Sequence, residues 1–125
     1  MLFIAVVAAL AIAAPALAAI SIRVTTTVVH VGGKLRGRSN GERFRVYLIE
    51  AKLAPCHNGC AARAKHPPGS PFVFVGRIPG RYGRYTFHRF AFRVPAVRPG
   101  QYSVFVYCPP CGSLIDSGEA IRVLR

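Results

Sequence analysis

Apolar and polar side chains alternate with a period of two along several short stretches of the chain. Within residues 43–51, Phe44, Val46 and Leu48 share one face, opposite two arginines and a tyrosine. Within residues 102–108, the even-numbered positions are Tyr, Val, Val and Cys. Because successive side chains of a strand point to opposite faces, this alternation predicts two half-buried β-strands.

Five other segments are strand candidates, and glycine, proline or asparagine turns separate them. Four of them contain β-branched or aromatic residues, whereas residues 34–38 are short and polar. The five segments cover residues 20–31, 34–38, 72–78, 85–94 and 119–124. Within the fourth of these, the aromatic positions change parity, so we expect a β-bulge near His88 and Arg89. About seven short strands without intervening helices predict an all-β fold, namely an antiparallel two-layer β-sandwich.

A long irregular segment, residues 53–71, interrupts the strand pattern. It contains two cysteines, two histidines and four prolines. Structureless loops of this length are uncommon in small domains unless they carry a function or are tied down covalently. We therefore expect this loop to be fixed to the sandwich by its cysteines.

The N-terminal residues 1–20 contain no charged side chain. An apolar run followed by Pro15 and by Ala16-Leu17-Ala18 is typical of a signal peptide, with cleavage after Ala18. The expected organisation is a signal peptide at 1–18 and one β-sandwich domain at 19–125, secreted or at the cell surface. An uncleaved membrane anchor is the alternative, because about 20 apolar residues can span a bilayer.

The chain is strongly basic, with 17 lysines and arginines against four acidic residues and a formal net charge of +13. Such a surface attracts polyanions. In residues 77–93 the arginines alternate irregularly with aromatic rings, a composition that suits an anion-binding groove. The candidate anion-binding residues are Arg77, Arg81, Arg84, Arg89 and Arg93. The alternative is a strand pair with its rings in the core and its arginines in water.

Export also bears on the partner that this basic surface would meet. Nucleic acid is not expected as a physiological ligand outside the cell. The expected partner is an anionic polymer of the cell envelope or a membrane surface.

Four cysteines form two close pairs, Cys56 with Cys60 and Cys108 with Cys111. In a small exported domain an even number of cysteines favours disulfides. The two prolines between Cys108 and Cys111 favour extended backbone, whose three steps span about 9 Å, beyond the roughly 7 Å that a disulfide allows between Cα atoms. We therefore expect bridges between the two clusters. Two local rings, or reduced or metal-bound pairs, are the alternatives.

A metal site is the second interpretation of these residues. Thiols and imidazoles bind soft metals, and the candidate ligands are Cys56, His57, Cys60, His66, Cys108 and Cys111. A thioredoxin-like redox motif is disfavoured, because that chemistry places its Cys-x-x-Cys at a helix N-terminus and no helix is predicted here.

The C-terminal third carries three resemblances. Tyr102, which follows the Pro99-Gly100 turn, resembles the tyrosine corner of immunoglobulin-like sandwiches, in which the hydroxyl bonds to nearby backbone. Residues 94–112 resemble a segment of small exported bacterial proteins with an immunoglobulin-like sandwich and uncharacterised function, which implies fold and export. The order Gly100, Tyr102, Cys108, Pro110 resembles the cupredoxin signature and implies a copper ligand at Cys108, although that family's downstream His and Met have no counterpart here.

Catalytic patterns are weak. Only four acidic residues occur, in unrelated segments, and no serine stands in a G-x-S-x-G context. We expect no catalytic residues and no cofactor. The expected function is that of a non-enzymatic secreted or cell-surface module that binds an anionic envelope component, with an exported metal-binding protein as the alternative.

Overall fold

The computed structural model describes residues 22–40, 43–79 and 88–125. Within these ranges the chain is all-β, with nine strands and one turn of 3-10 helix at Ala51–Leu53. The strands are β1 (Ile22–Val24), β2 (Val28–His30), β3 (Lys34–Ser39), β4 (Arg45–Glu50), β5 (Ala61–Arg63), β6 (Val73–Arg77), β7 (His88–Arg93), β8 (Gly100–Cys108) and β9 (Ser113–Leu124).

The strands form two sheets. Sheet A has the order β1-β3-β7, and sheet B has the order β2-β9-β8-β4-β6, with β5 also paired to β9. The arrangement is sandwich-like, with sheet B curled into a half-barrel. All the described pairs are antiparallel except β2 with β9, which is parallel. The prediction of an all-β, sandwich-like fold is thus confirmed, whereas the described ranges contain nine strands rather than about seven, and one of the pairs is not antiparallel.

The first predicted strand is split between the two sheets, a difference from the prediction of one continuous strand. β1 pairs with β3 in sheet A, and β2 pairs with β9 in sheet B. The threonines between them add side-chain hydrogen bonds to the backbone bond from the Thr25 amide to the Arg36 carbonyl. The Arg36 amide donates to Thr26 Oγ1 at 2.8 Å, and Thr25 Oγ1 donates to the Arg36 carbonyl at 3.1 Å. Sequence alternation alone does not show this switch, because β-branched residues continue through it.

The main core lies between the sheets. The apolar faces predicted for residues 43–51 and 102–108 are confirmed, because Phe44, Val46 and Leu48 are buried there together with the even-numbered residues from Tyr102 to Cys108. From sheet A the core receives Leu35 and Phe90. Both sheets therefore use their inward-facing residues to exclude water.

A second apolar cluster lies on the outer face of sheet B. Tyr47, Phe105 and Tyr107 are each at most 3% exposed. Phe72 and Cys56 of the long loop pack against this cluster. Every residue from 102 to 108 is buried for this reason, since both faces of β8 are covered. The loop is thus a cover over sheet B.

Pairing of β5 with β9 attaches this cover. Ala61 lies opposite Ile115, and Arg63 lies opposite Ser113. Two further hydrogen bonds extend the ladder: the Ala64 amide donates to the Gly112 carbonyl at 2.9 Å, and the Asp116 amide donates to the Cys60 carbonyl at 2.8 Å. We expected disulfides to hold this loop against the sandwich. The backbone ladder between β5 and β9 holds it instead.

Several sequence predictions fall on residues outside the described ranges. The signal peptide at 1–18 is one of them, and so is the aromatic part of segment 85–94 that precedes His88. In the part of the chain that the structure describes, no helix is long and apolar enough to cross a bilayer.

Tyr102 makes the backbone hydrogen bond that its position predicts. It is 3% exposed, and its hydroxyl donates to the Arg98 carbonyl oxygen at 2.7 Å. Burial raises the pKa of the Tyr102 hydroxyl, the nearby Glu50 carboxylate raises it further, and the Arg98 charge opposes the increase. The neutral hydroxyl therefore ties the turn at 98–101 to the start of β8.

Replacement of this tyrosine gives a pH-dependent test. We expect Tyr102→Phe to lower the free energy of unfolding by about 1 kcal/mol at neutral pH, because the hydrogen bond is lost. Since the folded-state pKa is raised, the unfolded chain ionises first, from about pH 10, and the tyrosine's contribution declines as pH rises further. Urea denaturation at several pH values should show the wild-type and variant stabilities converging as the pH rises above about 10. A gap that stays constant at every pH above this value at which both proteins still fold would contradict this assignment.

Candidate anion-binding face

The strand period of β3 separates its cations from its inward-facing residues. Exposed and buried residues alternate strictly along Lys34–Ser39. Leu35 and Gly37 face the core, while Lys34, Arg36 and Arg38 face solvent. Gly37 has no room for a side chain, because a Cβ there would collide with the Phe90 ring and the Arg23 carbonyl. This small residue lets β1, β3 and β7 lie close together.

Strand β7 places two more arginines on the same side. Phe90 and Phe92 stack with ring centroids 5.2 Å apart and turn inward. Their neighbours Arg89 and Arg93 are consequently exposed on the outer face. A Cβ at Gly76 would strike the Phe92 ring, so this glycine of β6 lets β7 approach sheet B closely.

The strand register places these cations directly opposite one another. Arg38 lies opposite Arg23 on one side and Arg89 on the other, while Lys34 lies opposite Arg93. Directly opposed residues have Cβ atoms about 4.5–5.5 Å apart, and like charges in such pairs are destabilising. The outer side of sheet A, here called the arginine face, carries Arg23, Lys34, Arg36, Arg38, Arg89 and Arg93.

No acidic residue occurs in the strands that form this face. Solvent and salt therefore screen the repulsion between these like charges, because carboxylates of the same three strands do not. A groove of about 440 Å³ runs between the strands and is lined by Arg36, Arg38 and Arg89 with Thr25 and Ala91 among its other walls. Guanidinium groups around such a groove can bind phosphate, sulfate or carboxylate groups in a bidentate manner.

The sequence identified this face only in part. Of the predicted arginines, Arg89 and Arg93 lie on it, whereas Arg77 lies on β6 of sheet B opposite Arg45. Arg81 and Arg84 lie outside the described residues. The prediction missed Arg23, Lys34, Arg36 and Arg38. The sequence does contain a signal for the three missed cations of β3. In Lys-Leu-Arg-Gly-Arg-Ser every second residue is a cation, which places all three on one face of a strand.

The cysteines pair locally, so the expected bridges between the two clusters are wrong. Cys56 is bonded to Cys60 and Cys108 to Cys111, with Cα atoms 6.0 and 5.2 Å apart. Extended backbone at 108–111 was the incorrect assumption. The segment after β8 turns back instead, with the Gly112 amide donating to the Pro109 carbonyl at 3.3 Å and Gly112 at a φ of 58°. This turn connects β8 and β9 and shortens the span between the two sulfurs.

The proposed metal ligands do not converge. Among the described residues, no three His, Cys, Asp or Glu side chains are placed to hold a metal ion. His57 and His66 are exposed on the loop, and the sulfurs of Cys56, Cys60, Cys108 and Cys111 are all in disulfides. The copper ligand implied at Cys108 is thus bonded to Cys111 instead.

Comparisons with protein-family models, with curated proteins and with solved structures found no match to this chain. Of the sites considered above, the arginine face has the clearest chemical character.

A charge deletion at the centre of this face tests its electrostatics. Arg38→Gln removes the cation opposed by both Arg23 and Arg89, so we expect it to stabilise the fold by about 0.5 kcal/mol at low salt. Because salt screens exposed charges, the gain should shrink at about 0.5 M NaCl. The matched control is Arg122→Gln, since Arg122 lies on β9 opposite Gln101 and Val28. Urea midpoints measure both variants, and an equal salt response in the two would contradict the assignment.

Proposed function

We propose that this protein is a non-enzymatic binding module of the cell exterior that holds an anionic envelope polymer on its arginine face. The observation that carries the proposal is the set of six cations on three adjacent strands, with like charges directly opposed and no acid among those strands. Such repulsion lowers stability in the free protein. A bound polyanion relieves it, so the same charges favour the complex.

The spacing of the cations suits a linear polyanion. Alternate residues of one strand lie roughly 6.6–6.8 Å apart, and neighbouring strands lie about 4.8 Å apart. Lys34, Arg36 and Arg38 therefore form a row along β3, and Arg23 and Arg89 flank its end on the adjacent strands. A flexible polymer with repeated phosphate or carboxylate groups can contact several of these cations at once, which adds avidity to individually weak contacts.

A polymer is favoured over a membrane surface by the position of the apolar side chains. Among the described residues, the large exposed hydrophobic ones are Val28, Leu53 and Phe74. They belong to β2, the loop cover and β6, and none lies on sheet A. Stable membrane binding generally combines basic residues with an apolar anchor, and within the described residues sheet A exposes no large apolar side chain that could serve as one.

An immunoglobulin-like fold and export are parts of the same proposal. The strand order β1-β3-β7 against β2-β9-β8-β4-β6, with the first strand split between sheets, supports an immunoglobulin-like sandwich. The hydrogen bond from Tyr102 to Arg98 supports the tyrosine corner of that fold. Both disulfides support an oxidising compartment, in agreement with the signal peptide predicted at 1–18.

The test is binding to long-chain polyphosphate over a range of salt concentrations. The face variant Arg36→Gln/Arg38→Gln/Arg89→Gln removes three cations of the arginine face. The control variant Arg77→Gln/Arg98→Gln/Arg122→Gln removes three exposed cations elsewhere. Each phosphate contact contributes roughly 0.7–0.9 to the slope of log affinity against log salt, so the face variant should lose about 2 to 3 of that slope.

The control variant should retain most of both the affinity and the slope. Equal losses in the two variants would show a response to net charge alone and contradict a defined face. Sedimentation with anionic lipid vesicles provides the second arm. Binding to vesicles but not to polyphosphate at the same salt would assign the face to a membrane and overturn the choice of a polymer.

A further inference from the structure

The disulfide between β8 and β9 joins two sulfurs in very different surroundings. Cys108 is 0% exposed and belongs to the core between the sheets. Cys111 is exposed, on the turn that follows β8. A thiolate from solution can therefore approach the bond from the Cys111 side only.

The exposed end of this disulfide opens into a basic groove. The groove has a volume of about 700 Å³, and its lining includes Arg63, Lys65, Cys111 and Ser113. The pairing of Arg63 with Ser113 between β5 and β9 holds these cations next to the turn. Reactive cysteines are found in electropositive, partly exposed surroundings of this kind, because cations stabilise thiolates.

The second disulfide has the opposite surroundings. Cys56 packs against the apolar cluster on sheet B, and Cys60 is only partly exposed. The buried Asp116 carboxylate accepts the Gly59 amide at 3.3 Å, and the Asp116 amide donates to the Cys60 carbonyl. The loop that carries this disulfide therefore has a carboxylate hydrogen-bonded to its backbone, and a negative charge there disfavours an approaching thiolate. The Cys56–Cys60 disulfide can therefore serve as an internal control for the reactivity of the Cys108–Cys111 disulfide.

We propose that Cys108–Cys111 is an exchangeable disulfide that oxidises external dithiols, with Cys111 as the sulfur attacked. One thiolate of the dithiol attacks Cys111 Sγ and forms a mixed disulfide, while the Cys108–Cys111 bond breaks and its electron pair leaves on Cys108 Sγ. The second thiolate of the dithiol then attacks the dithiol's first sulfur, which is bonded to Cys111 Sγ in the mixed disulfide. The internal disulfide of the dithiol forms, the bond to Cys111 Sγ breaks, and Cys111 leaves as a thiolate. The dithiol loses two electrons, the cysteine pair gains them, and the two protons of the dithiol end on the two cysteines.

The turn itself assists the departing sulfur. The Cys111 amide lies 3.2 Å from Cys108 Sγ and donates to it. A hydrogen bond strengthens when its acceptor becomes charged, so this contact partly offsets the unfavourable burial of a thiolate at Cys108. The absence of a predicted helix argued against thioredoxin-like chemistry. Here Arg63 at the end of β5 and Lys65, two residues further along the chain, take the place of the helix N-terminus.

The test compares two monothiols of similar size, 3-mercaptopropionate and cysteamine, on the full chain. Acid quenching, alkylation and peptide mapping give the reaction rate at each disulfide and the cysteine that carries the adduct. The ratio of the two rates within one molecule cancels the intrinsic nucleophilicity of each thiol. We expect the Cys108–Cys111 rate to exceed the Cys56–Cys60 rate, with the adduct on Cys111, and the ratio to be about fivefold larger for the anionic thiol.

Charge variants refine the test. Arg63→Gln/Lys65→Gln should remove most of the preference for the anionic thiol, whereas the control Arg77→Gln/Arg122→Gln should keep it. Faster reaction at Cys56–Cys60, an adduct on Cys108, or an equal ratio for both thiols would overturn the proposal. These wild-type outcomes decide the matter even if a variant does not fold. The exchange is independent of polyphosphate binding, so either proposal can fail alone.

Discussion

The rest of the structure depends on the docking of the long loop across the outer face of sheet B. The ladder between β5 and β9 fixes its middle, and Phe72 and Cys56 pack over Tyr47, Phe105 and Tyr107. Each large apolar side chain buried in this way contributes roughly 1.5–3 kcal/mol. A two-sheet fold normally leaves two outer faces in water. Here the loop covers one of them, and the central strand β8 is buried on both faces from Tyr102 to Cys108.

This asymmetry accounts for the chemistry of both exposed sites. Sheet A keeps a solvent-facing side, and its alternation places six cations there without an acidic residue in the same strands. The docked loop also brings Arg63 and Lys65 to the Cys108–Cys111 turn. The two sites therefore lie on different elements. One is a face of regular strands, and the other is created by the meeting of the loop with the hairpin turn.

Local pattern was sufficient for much of this fold. Alternation identified β4 and β8 and their core-facing residues, and the Pro-Gly turn identified the hydrogen bond of Tyr102. Prediction from local pattern failed where contacts between segments distant in sequence determine the structure. β5 is a three-residue strand that exists only through β9, and the split between β1 and β2 depends on which sheet offers each partner. The arginine face was only partly found, because register between β1, β3 and β7 determines which cations meet. The disulfides were mispaired because a turn at Pro109 was treated as extended.

Amide hydrogen exchange measured by NMR tests the docking of the loop most directly. The amides of Ala64 and Asp116 donate to carbonyls across the β5–β9 boundary at 2.9 and 2.8 Å. The structure predicts that both exchange at least about a thousandfold more slowly than in an unstructured peptide, because they open only when the cover detaches. Exchange of these two amides at the unstructured rate, with β4 and β8 still protected, would contradict a docked cover and with it the basic groove beside Cys111.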